Sequence, residues 1–396
     1  MKIIDCLLPC LREVIDEGHS LDRVTARWIA ANRGQWSNRD VAMFAETLSD
    51  VVRWWRLLRS MAHAVGFEGN SGIGPIVVYQ ALNPSVNVVR EQLSPRQRRT
   101  LEQEYSRLYD HRAVRESIPD WLDALCAREL GAAWPDTLSA LNAMPSIVLR
   151  ANRLRTSRQS LLAMLANEGY RVAALGDADA IELRQRANIF RSSAFRQGYF
   201  EQQDYASQAV VPFMQIEPGM RVVDACAGNG GKTLHMASLM GNRGQVIALD
   251  VADHKLAELR RRASRAACSN VETRLIDSAK VLKRMAQSAD RLLLDVPCSG
   301  LGVLRRNPDI KWHLREEQLS ALQATQRDIL LRYSNVLRPG GKLVYSTCSI
   351  LPSENMRQVE WFVAQSQGAF AVEAEQTLSP CDGADGFYMA RIVRCN

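Results

Sequence analysis

The fold class that the sequence predicts is α/β: a doubly wound, mainly parallel sheet in the C-terminal half, behind a small α+β module and an all-helical N-terminal region. Three observations carry this reading. After about Pro218, short β-rich runs alternate with helical stretches at the spacing of βαβ units. Before about Ala140, apolar residues recur at intervals of three and four, the period of a helix. Between these regions, strand-like runs flank one short amphipathic stretch. The expected domains are 1–140, 141–205 and 206–396.

In the first domain, Val41–Leu48 leads into Val51–Leu58 with helical periodicity. Asn70–Gly74, Pro84, the charged stretch Pro95–Arg99 and Pro119 punctuate it, and Pro119-Asp120-Trp121-Leu122 opens a helix that runs to about Leu130. Trp54 and Trp55 fit apolar helix packing better than base stacking. In the second domain, Ser146–Asn152 reads as a strand, Ser157–Gly169 as a helix ending at glycine, and Ile181–Leu183 and Ile189–Phe190 as strands. Arg150, Arg153, Arg155, Arg158 and five more arginines from Arg171 to Arg196 outweigh Glu168, Asp177, Asp179 and Glu182 there, an electrostatic footprint suited to a nucleic acid. In the third, strands are expected at Arg221–Asp224, Gln245–Asp250, Val271–Leu275, Arg291–Leu294 and Lys342–Ser346. Helices are expected at Lys232–Met240, Ala252–Ala267, Glu316–Leu337 and Glu354–Gln365.

The 396 residues are 46% hydrophobic and 23% charged, an ordinary globular mixture. No apolar run approaches the roughly 18 residues of a membrane helix, so no membrane partner is expected. The start, Met1 to Cys10, has an apolar stretch too short for a secretory signal and interrupted by Asp5, so a cytoplasmic protein is expected. Nine cysteines include no Cys-x-x-Cys pair, so neither a metal site nor a disulfide framework is expected. The net charge is +7, and no lysine lies between Lys2 and Lys232. Arginine carries every other positive charge in that stretch, and arginine grips phosphate bidentately.

Ligands of doubly wound sheets bind at the carboxyl ends of strands near the switch point. There the first strand runs into Asp224-Ala-Cys226-Ala227-Gly228-Asn229-Gly230-Gly231-Lys232-Thr233. A phosphate-gripping P-loop needs glycine at position 226, and a dinucleotide fold needs one at position 233; neither is present. S-adenosylmethionine suits the loop better. Asp250, ending the second strand, is placed to accept two ribose hydroxyls, and Asp277, after the third, to reach an adenine amine. A helix cap explains any one such Asp as well, but three in phase with a glycine loop are less casual.

After the fourth strand comes Asp295-Val-Pro-Cys298-Ser-Gly300, and after the fifth Tyr345-Ser-Thr-Cys348-Ser349. A lone cysteine in a parallel sheet is usually a small buried hydrophobe. Two at adjacent strand ends, beside a methyl donor, point to nucleophilic catalysis. A pyrimidine C5 is too weak a nucleophile to take a sulfonium methyl; a thiolate added at C6 creates an enamine whose C5 can attack. Asp295 is placed to bond the N3/N4 edge of cytosine and ease the addition.

With these motifs the chain resembles the RsmB/Nop/Sun family of RNA cytosine-C5 methyltransferases, especially its bacterial 16S ribosomal-RNA branch. Arg306-Asn-Pro-Asp-Ile-Lys-Trp312, Tyr345–Asn355, Arg150-Ala-Asn152, Gly198–Asp204 through Ser207-Gln208, and a final strand at Gly386–Arg391 also match. The resemblance implies a Rossmann-like class I methyltransferase domain with a seven-stranded sheet, an RRM-like second module and a NusB-like RNA-binding first domain, matched best at Arg39–Phe44 and Val52–Trp54. It further implies Cys348 as nucleophile, Cys298 in release of the adduct, and Cys226, Ala227, Gly228, Asn229, Gly230, Gly231, Lys232, Asp250, Asp277 and Asp295 around S-adenosylmethionine. In DNA cytosine-C5 methyltransferases the Pro-Cys cysteine is the nucleophile instead. The expected partner is ribosomal RNA, and the expected state a monomer without metal. Arg305, Arg306 and Lys311 are candidate contacts to the substrate strand.

One departure stands out: Gly228-Asn229 replaces the family's usual Ala-Pro, which removes a fixed φ and frees the loop. Activity is still expected, because the cysteines and acids are intact. Two other functions compete: a non-catalytic RNA-binding or ribosome-assembly factor, and the same chemistry on transfer RNA.

Overall fold

A computed structural model describes residues 3–67, 72–90, 92–176 and 179–395. Met1, Lys2, Asn70, Ser71 and Asp177, which enter the sequence reading, lie outside the described residues. The chain divides into two compact units, one of residues 1–143 with 303–316, the other of residues 144–302 with 317–396.

The first unit is helical. Its longer helices are Ile3–Ile15, Leu21–Ala31, Asn38–Arg53, Trp55–Ala64, Ile73–Leu82, Pro95–Leu108, Asp120–Leu130 and Trp134–Asn142. Six of them share one core, in which Leu7, Phe44, Leu48, Met61, Ile76 and Leu101 are buried. The Arg39–Phe44 motif marks a helix start: the Ser37 hydroxyl accepts from the Asp40 N–H at 3.2 Å and the Asp40 carboxyl accepts from the Ser37 N–H at 2.8 Å, a capping box. Trp54 separates two helices, and both Trp54 and Trp55 pack against the core, as their sequence pattern implies.

Residues 303–316 correct the sequence reading. The βα pattern puts them in the domain 206–396, yet they pack within the helical unit. The Asp309 carboxyl accepts from the Leu21 N–H at 3.0 Å, and Trp312 donates its indole N–H to the Val52 carbonyl at 2.8 Å. Lys311 and Arg305, expected on a substrate strand, are buried. Lys311 Nζ donates to the Arg53 carbonyl at 2.8 Å, and Arg305 to the Ala140 carbonyl at 3.0 Å. Side chains buried this way are turned to the chain's own carbonyls; their neighbours in sequence do not reveal that.

The second unit holds two sheets. The smaller is antiparallel, in the order β2-β3-β1-β4, with β1 Ile147–Ala151, β2 Val172–Ala174, β3 Ala180–Leu183 and β4 Phe200–Gln202. Helix Arg158–Asn167, capped by Ser157, lays Leu161 and Leu165 on Leu149, Ile181 and Phe200. Ile189–Phe190, expected as a strand, lies in a 3₁₀ turn. β2 and β4 were not legible in the sequence because three residues are too few to show alternation.

The larger sheet has seven strands, β5 Arg221–Asp224, β6 Gln245–Asp250, β7 Val271–Leu275, β8 Ala289–Asp295, β9 Leu337–Thr347, β10 Phe370–Leu378 and β11 Phe387–Arg394. Their order is β10-β11-β9-β8-β5-β6-β7; β11 runs antiparallel to both its neighbours, β9 and β10, and the other strands share one direction. The central strands read as continuous apolar runs because both faces are covered. Val223, Ile247, Leu292, Leu294 and Tyr345 fill one face; Val222, Val246, Leu293 and Val344 fill the other. The chain leaves β5 toward β6 on one side and returns to β8 on the other, so the switch point lies between β5 and β8. Among the described residues no helix is long and apolar enough to cross a membrane.

Candidate active site

The crevice at the switch point is built from three strand ends. β5 ends in Asp224, β8 in Asp295 and β9 in Thr347, one residue before Cys348. Between β5 and helix Gly231–Leu239 the chain turns through Gly228, whose φ of +54° is the left-handed region that favours glycine. The Gly228 N–H donates to Asp250 Oδ2 at 2.8 Å, while the other Asp250 oxygen accepts from the Ala252 N–H at 2.9 Å. Despite the Gly-Asn departure, the loop is thus anchored to β6, and Arg262 donates to the Asn229 carbonyl at 2.7 Å.

Asp224 is buried. Its Oδ2 accepts from the Thr233 hydroxyl at 2.6 Å, and its Oδ1 is buried with no hydrogen-bond partner among the described residues. Burial pushes the Asp224 carboxyl up to about 7, against the opposing pull of Thr233. Cys226 is pushed up too, by burial and by the nearby Asp224, Asp295 and Asp250, which keeps it a thiol. Lys232 Nζ lies 2.6 Å from Asp295 Oδ2 and 4.9 Å from the Phe387 ring centroid. Asp295 Oδ1 accepts from the Ser346 hydroxyl at 2.9 Å. Asp277 stands exposed after β7; Ser278 donates to it at 3.0 Å, and among the described residues no bond joins it to the Asp224, Asp250 and Asp295 group.

The two thiols expected near one crevice meet: Cys298 Sγ and Cys348 Sγ are 3.4 Å apart. The hydrogen bond with Cys348 and burial together push the Cys298 thiol well above its ordinary range, so Cys298 keeps its proton. Behind them sits a cluster that sequence reasoning quoted as motif without assigning a role. Glu354, fully buried, accepts from the Ser299 N–H at 2.9 Å, the Ser299 hydroxyl at 2.5 Å and the Ser349 hydroxyl at 2.6 Å. No spacing rule signals it, because Glu354 also follows the pattern of a helix start.

The Arg150-Ala-Asn152 motif also acquires a role. Arg150 is buried and donates to the Gly231 carbonyl at 2.9 Å, and Asn152 donates to the Ala266 carbonyl at 2.8 Å. Arg150 therefore holds the glycine loop from the small sheet and does not belong to the basic surface inferred from composition.

A family model for the 16S rRNA methyltransferase RsmB/F matches residues 211–392, and one for the ferredoxin-like domain of RsmF/B-like methyltransferases matches residues 118–190. The ribosomal RNA small subunit methyltransferase B of Pseudomonas syringae pv. tomato is 33% identical over 310 residues, covering 71% of this chain and 66% of the relative. That of Vibrio vulnificus is 34% identical over 294 residues, covering 72% and 68%. The chain belongs to the RsmB/F methyltransferase family. It spans about two thirds of the length of these curated relatives. The solved structure of PH0851 shares the fold, with a TM-score of 0.80, 21% identity, and coverage of 100% of this chain and 99% of that one.

Membership in the RsmB/F family makes S-adenosylmethionine the cofactor that the crevice has to fit. Its residues fit. Asp224 offers a buried acceptor with a free oxygen for an amino group, and the glycine-lined turn has open space where a Cβ at position 228 would lie. Asp250, held on two backbone N–H groups, presents its carboxyl at the end of β6 for ribose hydroxyls.

Proposed function

We propose that this chain methylates C5 of a cytosine in small-subunit ribosomal RNA, through a covalent bond between Cys348 Sγ and C6 of the base. The observation that carries the reading is the thiol pair, 3.4 Å apart, with Asp295 and Lys232 on the adjoining strand end and loop. Two thiols in contact serve a reaction in which one forms a bond to the base and the other assists its breakage. The relatives' names supply the substrate class.

S-adenosylmethionine, when bound, supplies an electrophilic methyl group. Asp224, Asp250 and the turn from Cys226 to Lys232 hold it. The resemblance to RNA cytosine-C5 methyltransferases makes Cys348 the sulfur that adds to C6, with the Cys298 thiol beside it. That addition moves electron density onto C5, the position that becomes methylated. Asp295, accepting at both oxygens, receives the exocyclic amine of the cytosine, and Lys232 stabilises its charge. Loss of the C5 proton then expels the Cys348 sulfur, with Cys298 placed to reprotonate it. The base must leave its stack to expose C6, so the target is single-stranded or looped RNA.

The test pairs two variants with bisulfite sequencing of ribosomal RNA. Cys348→Ala is expected to abolish both 5-methylcytosine and covalent protein–RNA complexes, and Cys298→Ala to accumulate those complexes. The reverse pattern reassigns the nucleophile. An unchanged 5-methylcytosine map in a deletion strain overturns the reading.

A further inference from the structure

Each catalytic-loop cysteine is followed by a serine, and both serines converge on one buried side chain. Glu354 Oε1 accepts from the Ser299 N–H at 2.9 Å and from Gln326 Nε2 at 3.0 Å. Its Oε2 accepts from the Ser299 and Ser349 hydroxyls at 2.5 and 2.6 Å, and those hydroxyl oxygens are themselves 3.2 Å apart. Glu354 is also held by its own backbone, whose carbonyl accepts from the Tyr345 hydroxyl at 2.6 Å. Gln326 ties the same group to the Pro297 carbonyl at 3.0 Å.

We propose that Glu354 is the positioning residue that sets the spacing of the two thiols, by clamping the Ser299 and Ser349 arms of the loops that carry Cys298 and Cys348. The neighbouring Asn355 makes the contrast: it accepts from Thr347 at 2.5 Å and donates to the Ser349 carbonyl at 2.9 Å, and so secures only the Cys348 loop. The two carboxylate oxygens meet four converging donors, of which two are hydroxyls that can turn and accept instead, so a Gln amide can still bridge both arms. The need follows from the chemistry. One sulfur must reach C6 while the other stays within reach of it, and an error of about 1 Å costs on the order of a hundredfold in rate. The catalytic side of this inference rests on Cys348 as the nucleophile.

The experiment reads the spacing apart from the chemistry. Full-length protein is treated with diamide, which takes two electrons and two protons from a thiol pair, and the Cys298–Cys348 linked peptide is followed by mass spectrometry. Glu354→Ala is expected to slow linkage about tenfold or more and to lower kcat about a hundredfold, with KM for RNA within about twofold. Glu354→Gln, which keeps one acceptor and the side-chain length, is expected to restore linkage to within about threefold of the wild type. If Glu354→Ala does not fold, Ser349→Ala decides: removal of one arm is expected to slow linkage about threefold. Linkage at the wild-type rate in folded Glu354→Ala, or in Ser349→Ala, overturns the proposal, as does an equal loss in the Gln and Ala variants. Wild-type protein that links normally but never methylates RNA overturns the C5 reading instead, and leaves the clamp standing.

Discussion

In the helical unit buried basic side chains lie on backbone carbonyls: Lys311 on Arg53, Arg305 on Ala140, Arg53 on Arg305 at 2.8 Å. In the α/β unit the buried groups at the strand ends are acids, whose partners are hydroxyls, backbone N–H groups and one ammonium. These carbonyl-bound side chains join segments far apart in sequence. Asp224 keeps a buried oxygen with no hydrogen-bond partner among the described residues, at the end of β5 where the glycine turn begins. A buried ionisable group thus ties the chain together where its partners are distant carbonyls, and faces the crevice where it sits at a strand end beside the switch point.

The largest effect expected from this contrast is at Asp224. Its folded value of about 7 lies above its ordinary value near 4, so folding favours the neutral acid. The stability this contributes is fully present below about pH 4 and is lost as pH rises through 7, by up to about 4 kcal/mol. Asn imitates the neutral acid. Urea unfolding of Asp224→Asn and wild type is therefore expected to diverge in favour of the variant between pH 4 and 7; parallel curves would mean that Asp224 is not the desolvated group described.

Next comes Gly302, where the two cysteine loops meet the final hairpin. Its N–H donates to the Cys348 carbonyl at 2.9 Å and its carbonyl accepts from the Gly386 N–H at 2.8 Å. A Cβ there would collide with the Gly386 carbonyl, so Gly302→Ala must shift backbone. A loss of about 2–3 kcal/mol in stability is expected, measured by thermal unfolding, together with slower Cys298–Cys348 linkage. Unaltered stability would show that the loops tolerate displacement.

The smallest effect is at Lys311, and it separates the two regions most sharply. Burial, and then Arg53, push its ammonium well below the ordinary lysine range. The neutral form is favoured on folding, so this contribution is present above about pH 10.5 and is lost as pH falls. Lys311→Met is expected to gain on the wild type by about 1 kcal/mol as pH is lowered, and to bind ribosomal RNA within about twofold of it. A phosphate contact would behave differently, with weaker binding and a salt slope reduced by about one. That result would return Lys311 to the substrate strand.

Local chemistry was enough to read β5 and β6 to the residue, because buried parallel strands are apolar runs bounded by turns, and β7, an edge strand of alternating apolar and polar residues, from its place in the βα alternation. It missed β10, an edge strand whose Val372, Glu373 and Glu375 are exposed, and it read Ile189–Phe190 as a strand where hydrophobicity belongs to a turn. The residue types of the crevice were legible too, since a glycine turn, strand-end acids and two Cys-Ser pairs are each local patterns. Asp277, read with the same rule as Asp250, is exposed after β7, with Ser278 as its hydrogen-bond donor. Whether a charged residue faces a ligand or the chain itself was beyond the local pattern. Arg150, Arg305, Lys311 and Glu354 all have partners more than three residues away, the first three more than eighty. Their roles follow from which carbonyls and hydroxyls folding brings to them, and hydrogen bonds between distant segments leave no period in a sequence.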